Sequence, residues 1–290
     1  MVVAALNYLA PMGEAPRTYT YDPPAGMPRF NGRLETHRMT IRDARPIRAG
    51  LSLDMQGFVL VDHASAVRDF WDEDELRAVH YAEAEHLVCA ATGATQALVF
   101  DHTLRRRAPG RPPLDGNGGS FAAVREPVGR VHADYTPRSA RERLGLLLGA
   151  AEAAERMRCR FAIVGLWRPT NLQPLLDAPL AVCDARSVGA NDMVANEVIY
   201  RDRRGETCIG IHNPEHRWFF FPAQRHDEVI VFKNFDSAAG TAGGTGGVGS
   251  AGIAGIAGVV PHTAFDDPST PADAPRRESI ELRAFAFFDA

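Results

Sequence analysis

The chain has 290 residues, enough to bury a substantial single core, and 32 Lys and Arg against 36 Asp and Glu leave a net charge of −4. That mild acidity argues against nucleic acid or an anionic membrane as a general partner and leaves a small molecule as the expected ligand. No apolar run approaches the roughly twenty residues of a membrane span, and Met1–Ala10 lacks the basic start of a secretory signal before it meets Pro11. Cys89, Cys159, Cys183 and Cys208 are dispersed with no Cys-x-x-Cys pair, which points to reduced thiols in a cytoplasmic protein.

Residues 1–50 carry many prolines and arginines with little period and are expected to form an extended arm ahead of a single domain over 51–290. A first helix opens at Asp72 with an acidic first turn and a capping-box-like Asp72/Glu75 pair, and runs to about Ala91 before Gly93. Ala94 to His102 reads as a strand, followed by a Pro/Gly loop through Gly119. Val128 to Tyr135 alternates like a strand, and Pro137 to Met157 reads as a second helix with Leu144, Leu147, Leu148 and Ala151 on one side. Short strands are then expected at Phe161–Trp167, Leu180–Cys183, Glu197–Tyr200, Thr207–Ile211, Trp218–Phe221, Val229–Phe232, Val260–Phe265 and Ile280–Phe288. Between them, residues 238–258 are dominated by Gly, Ala, Ser and Thr and are expected to be a flexible insert, either a lid near the mouth of a site or a tolerated surface loop. No Gly-Lys-Ser/Thr ending makes it a phosphate loop. Two helices followed by many strands predict a mainly β fold with flanking helices, a sandwich or jelly roll.

Within this pattern, alternation puts His132 and Asp134 on one face of one strand, and His262 can join them from another. Two imidazoles and one carboxylate form the ligand set that leaves half of an octahedral iron(II) open for a co-substrate and dioxygen. His216, flanked by Glu215 and Arg217, is the rival third ligand but reads as a turn. Arg277 and Ser279 share a face and can grip a carboxylate, as a dicarboxylate co-substrate would require at its far end. Arg168, Arg186 and Trp218 are weaker candidates for contacts with the substrate, each with a structural role as its alternative.

Seven segments carry a resemblance: His132–Thr136, Trp167–Pro169, Pro179–Ser187, His216–Pro222, Phe232–Ser237, Pro261–Phe265 and Arg277–Glu281. In this order they resemble the hydroxylase/desaturase family typified by the fungal AsaB and NvfI and the bacterial CmcJ proteins, from about residue 55 to the C-terminus. The resemblance implies an iron(II)- and 2-oxoglutarate-dependent oxygenase with a double-stranded β-helix (cupin-like jelly roll), consuming dioxygen. His132, Asp134 and His262 would bind iron, and Arg277 with Ser279 would bind the distal carboxylate of 2-oxoglutarate. A natural-product scaffold would be hydroxylated, desaturated or oxidatively cyclised. The chain departs from the family at Arg276, where members usually carry a second proline before the arginine, and in the 238–258 insert. A zinc-dependent hydrolase could use the same His/Asp/His trio, and a non-catalytic cupin-like binding protein could keep the fold without the metal. The sequence leaves the oligomeric state open, a homodimer included.

Overall fold

The computed structural model describes residues 1–114, 116, 120–121, 124–239 and 256–289. Most of the Gly/Ala-rich insert, residues 240–255, lies outside the described residues, as does its expected flexibility. Two sheets carry the fold. The larger has nine strands in the order Val2–Leu9, Leu34–Asp43, Trp218–Phe220, Leu180–Cys183, His262–Ala264, His132–Ala133, Arg204–Gly210, Met193–Ile199 and Arg17–Tyr19. The smaller has seven: Phe58–Asp62, Glu228–Asp236, Phe161–Pro169, Glu278–Phe287, Gln96–Arg106, Val124–Arg125 and Ser120–Phe121. Most neighbouring strands are distant in sequence, and the curled sheets form a jelly roll of the double-stranded β-helix type.

Side chains from both sheets meet between them, where Leu180 and Val182 of the larger pack on Phe58, Trp167, Ile230 and Phe232 of the smaller. Alternation along Glu278–Phe287 explains how one strand serves two layers. Ile280, Leu282, Ala284 and Ala286 face outward, where Leu76, Ala84, Leu87 and Val88 of the first helical segment cover them. Ser279, Glu281, Arg283 and Phe285 alternate with them and point inward, toward the space between the sheets. The helices Pro137–Leu148 and Ala150–Arg156 close one end with Ala140, Leu144 and Ala153 against Phe161, Phe235, Phe285 and Phe287.

Local differences from the sequence reading have identifiable causes. Asp72 caps the first helix through the N–H groups of Asp74 and Glu75, but Glu75 does not reach back to complete a box. Its carboxylate instead accepts the N–H groups of Arg68 and Asp69, so the preceding loop is tied down. The helix passes through a wider π turn at Leu76–His80 before Tyr81–Thr92. The second helix breaks at Gly149, whose φ of 80° and ψ of 164° lie outside the helical region and suit glycine alone. Within residues 1–50, Val2–Leu9 pairs antiparallel with Leu34–Asp43, and Arg17–Tyr19 pairs in parallel at the other edge of the same sheet. Leu34–Asp43 and Arg17–Tyr19 are also held by strands far along the chain, Trp218–Phe220 and Met193–Ile199, which periodicity within fifty residues cannot reveal. Only His132–Ala133 of the alternating run Val128–Tyr135 lies in a ladder, because Val128 bonds to Ala264 while Val131 bonds to Asn7 and Gly210.

Gly165 marks a close approach: a Cβ there would stand 2.5 Å from the Phe232 ring, whose own centroid is 4.7 Å from that of His262. Gly165→Ala should therefore push Phe232 toward His262 and cost about 1–3 kcal/mol of stability. A denaturant midpoint unchanged from the native chain would contradict this.

Candidate metal centre

His262 and His132 stand directly opposite each other on adjacent antiparallel strands, with ring centroids 4.4 Å apart. Asp134 follows His132 by two residues, so its carboxylate returns to the same side. One ligand atom from each of the three residues lies within 4.8 Å of the others. The Nδ1 of His132 is 2.8 Å from the Arg130 carbonyl and that of His262 is 3.1 Å from the Val260 carbonyl. A carbonyl only accepts, so both rings carry their proton on Nδ1 and present Nε2 as a lone pair. His262 Nε2 is buried and has no hydrogen-bond partner among the described residues. Such an orphaned acceptor costs about 1–3 kcal/mol, and a metal ion is a fitting partner for it.

Electrostatics prepare the same donors. Burial holds the pKa of His132 well below the usual imidazole value, with the neighbouring His262 adding to the effect, and burial also lowers His262. Both rings are neutral at pH 7 and need not release a proton to bind a cation. Burial alone would raise Asp134, but the Arg283 guanidinium, with Nε 2.7 Å from Oδ2, outweighs it and keeps the carboxyl far below the ordinary range. Two neutral imidazoles and a carboxylate fit a divalent first-row ion and occupy only part of its coordination sphere.

A narrow cleft leads from the histidines to Arg277, bounded also by Trp167, Arg105 and Glu281. Arg277 is buried, stacks 4.8 Å from the Trp167 ring, and donates from Nε to Ser279 Oγ at 3.0 Å and from Nη1 to the Ala178 carbonyl at 2.7 Å. Among the described residues it makes no ion pair with a carboxylate. Burial, reinforced by Arg105, pushes its pKa down to about 9, and the nearby Glu281 and Asp177 do not offset it. Arg276, the other arginine of the motif, is exposed and directs Nη1 at the Arg107 carbonyl instead. On the other side of His132 and Asp134 lies an open cavity of about 470 Å³, walled in part by Tyr135, Thr103, Arg143 and Arg283. That volume suits a small molecule.

The weaker substrate candidates lie elsewhere. Trp218 is wholly buried and donates its indole N–H to Tyr8 at 2.8 Å. The tryptophan at the cleft is Trp167, which lies on the inner face of its strand. Arg168, the next residue, consequently points the opposite way, beside His63 and His80, and donates to the His226 carbonyl. Arg186 spends its guanidinium on Asp184, at 2.9 and 2.7 Å. His216 is held by Asp192 at 3.0 Å and Tyr8 at 3.3 Å, away from the cluster. Sequence reading missed Glu281 and Arg283, although extending the alternation from Arg277 and Ser279 by four residues would have reached both. Glu281 is a buried carboxyl in the cleft, pushed up to about 7 by burial even though Arg283 opposes the shift.

Fold and site together are those of a jelly-roll protein with a His/Asp/His group able to hold a divalent metal ion. The family model described as "Oxidoreductase/YMDC permease-like domain" matches residues 6–287. No helix among the described residues is long and apolar enough to cross a membrane. The chain is 30% identical over 272 residues to the hydroxylase/desaturase efuI of Hormonema carpetanum, covering 89% of this chain and 85% of the relative. It is likewise 30% identical over 281 residues to the Fe(II)/2-oxoglutarate-dependent dioxygenase nvfI of Aspergillus novofumigatus, covering 93% and 90%. The solved structure of the iron and alpha-ketoglutarate-dependent endoperoxidase NvfI superposes with a TM-score of 0.83 at 25% identity, over 99% of this chain and 98% of that one. The chain belongs to this family of Fe(II)/2-oxoglutarate-dependent oxygenases, and its cofactors are Fe(II), 2-oxoglutarate and dioxygen.

Proposed function

We propose that His132, Asp134 and His262 hold iron(II), that Arg277 with Ser279 receives the distal carboxylate of 2-oxoglutarate, and that the adjoining cavity takes a small-molecule prime substrate. Arg277 carries the reading. It is a buried cation without a carboxylate partner among the described residues, in the same cleft as both histidines. A hydrolase would have no use for it.

Bound iron and 2-oxoglutarate supply, with dioxygen, an oxidative decarboxylation to succinate and carbon dioxide whose oxidising power is spent on the substrate. The chain's residues prepare for that chemistry. The carbonyls of Arg130 and Val260 fix the imidazole tautomers, Arg283 keeps Asp134 ionised, and Trp167 and Leu180 supply apolar wall to the cleft. Names among the relatives span hydroxylation, desaturation and endoperoxide formation. The product class on this chain, within hydroxylation, desaturation or oxidative cyclisation of a natural-product scaffold, therefore rests on how the cavity wall seats the substrate. Four free cysteines, two of them buried, favour a reducing compartment and hence the cytoplasm.

Succinate released from 2-oxoglutarate by anaerobically iron-loaded protein on exposure to air tests the reading. Turnover in the native chain, lost in both His132→Ala and Arg277→Ala, is the expected result. Iron bound without succinate formation across a broad substrate panel would count against it.

A further inference from the structure

We propose that Arg283 is a positioning residue for the metal centre: its guanidinium occupies one oxygen of Asp134, so that the carboxylate offers the other, Oδ1, to the metal from a fixed orientation. The inference rests on the ligand set proposed above. Each nitrogen of Arg283 faces its own acidic side chain. Nε donates to Asp134 Oδ2 at 2.7 Å and Nη1 to Asp101 Oδ1 at 3.1 Å, while Nη2 stands 3.2 Å from Glu281 Oε1 as a charge contact without a hydrogen bond. Only a planar guanidinium presents N–H groups in three such directions; an ammonium on a flexible stem does not. The other oxygen, Asp134 Oδ1, is the one that lies 4.0 Å from His132 Nε2.

The backbone is shaped for this contact. Opposite Arg283 and Ala284, the partner strand Gln96–Arg106 skips Phe100, pairing Asp101 and then Val99. Such a bulge re-aims side chains and often sits beside an active site. Here it lets Asp101 meet Arg283 while Phe100 packs on Phe285 and Tyr135, with centroids at 5.0 and 6.2 Å. Asp101 is in turn approached by Arg143 at 3.8 Å. The guanidinium thus links an acid on the substrate cavity, Asp101, to the carboxylate at the metal, and through Glu281 to the co-substrate cleft. A carboxylate that gave both oxygens to the metal would take a position the co-substrate and dioxygen need. Arg283 holds one oxygen away.

Anaerobic titration with Fe(II), followed by the visible charge-transfer absorption that forms when 2-oxoglutarate chelates the metal, reads this without turnover. Native protein is expected to bind Fe(II) and develop the band. Folded Arg283→Met should bind Fe(II) about tenfold or more weakly, the usual loss when a partner behind a metal ligand is removed, with the band displaced or absent at metal saturation. Arg283→Lys, keeping charge without the fork, should recover only part of the affinity. Asp101→Asn removes the anchor at the more accessible end and should shift the same readouts by a smaller factor, which serves if Arg283→Met does not fold. Native affinity and a native band in folded Arg283→Met, or failing that in both Arg283→Lys and Asp101→Asn, would overturn the proposal and leave the ligand set standing. A native chain that forms no band would instead overturn the ligand set.

Discussion

His262→Ala is expected to lower Fe(II) affinity by more than about 100-fold and to abolish succinate formation, since even the groups behind metal ligands are worth about 10–100-fold each. The effect should be confined to the metal-bound state. In the metal-free chain His262 Nε2 has no partner among the described residues, so the hydrogen bond lost there is only the Nδ1 donation to the Val260 carbonyl. Packing against Phe232 is lost, and His262→Gln is the gentler companion. Thermal unfolding with and without Fe(II) separates the two contributions. Native protein should gain about 2.7 kcal/mol at a metal concentration 100 times its Kd, and the variants should gain nothing. A variant still stabilised by Fe(II) as strongly as the native chain would remove His262 from the ligand set.

Arg277→Leu should act on the co-substrate alone. Nε and Nη1 are committed to Ser279 and the Ala178 carbonyl, which orient the remaining N–H groups of the fork into the cleft. Losing one partner of a buried, hydrogen-bonded charge pair costs about 2–5 kcal/mol, which corresponds to roughly a 30- to several-thousand-fold rise in the KM for 2-oxoglutarate. Because the distal carboxylate does not react, kcat at saturation should change far less than KM. Arg277→Lys should fall between, since an ammonium keeps the charge but not the fork. Steady-state kinetics in 2-oxoglutarate at fixed Fe(II) checks this, and an unchanged KM in Arg277→Leu would contradict the assignment of the clamp.

Legibility in the sequence followed the range of the interaction. His132 and Asp134 could be paired because strand alternation is local, and the same rule joined Arg277 to Ser279 and set Arg276 aside. His262 could be brought to them only through the matching order of motifs, since the antiparallel pairing that sets His132 opposite His262 spans well over a hundred residues. Choosing between Trp167 and Trp218 required knowing which face of each strand looks inward. Both lie in apolar runs, but Trp218 finds Tyr8 as a partner on the first strand while Trp167 borders the cleft beside Arg277. Arg168 and Arg186 were equally ambiguous until their acceptors, the His226 carbonyl and Asp184, were in place. The apolar period of Pro137 to Met157 ran on through Gly149, whereas its positive φ divides the helix.

The most direct test is a crystal structure grown anaerobically with Mn(II) and N-oxalylglycine, which stand in for iron and 2-oxoglutarate without turnover. The metal is expected between His132 Nε2, Asp134 Oδ1 and His262 Nε2, with the inhibitor's far carboxylate on Arg277 and Ser279. A metal held by other residues, or a far carboxylate resting on Arg105 or Arg276 with Arg277 left empty, would contradict the site described here.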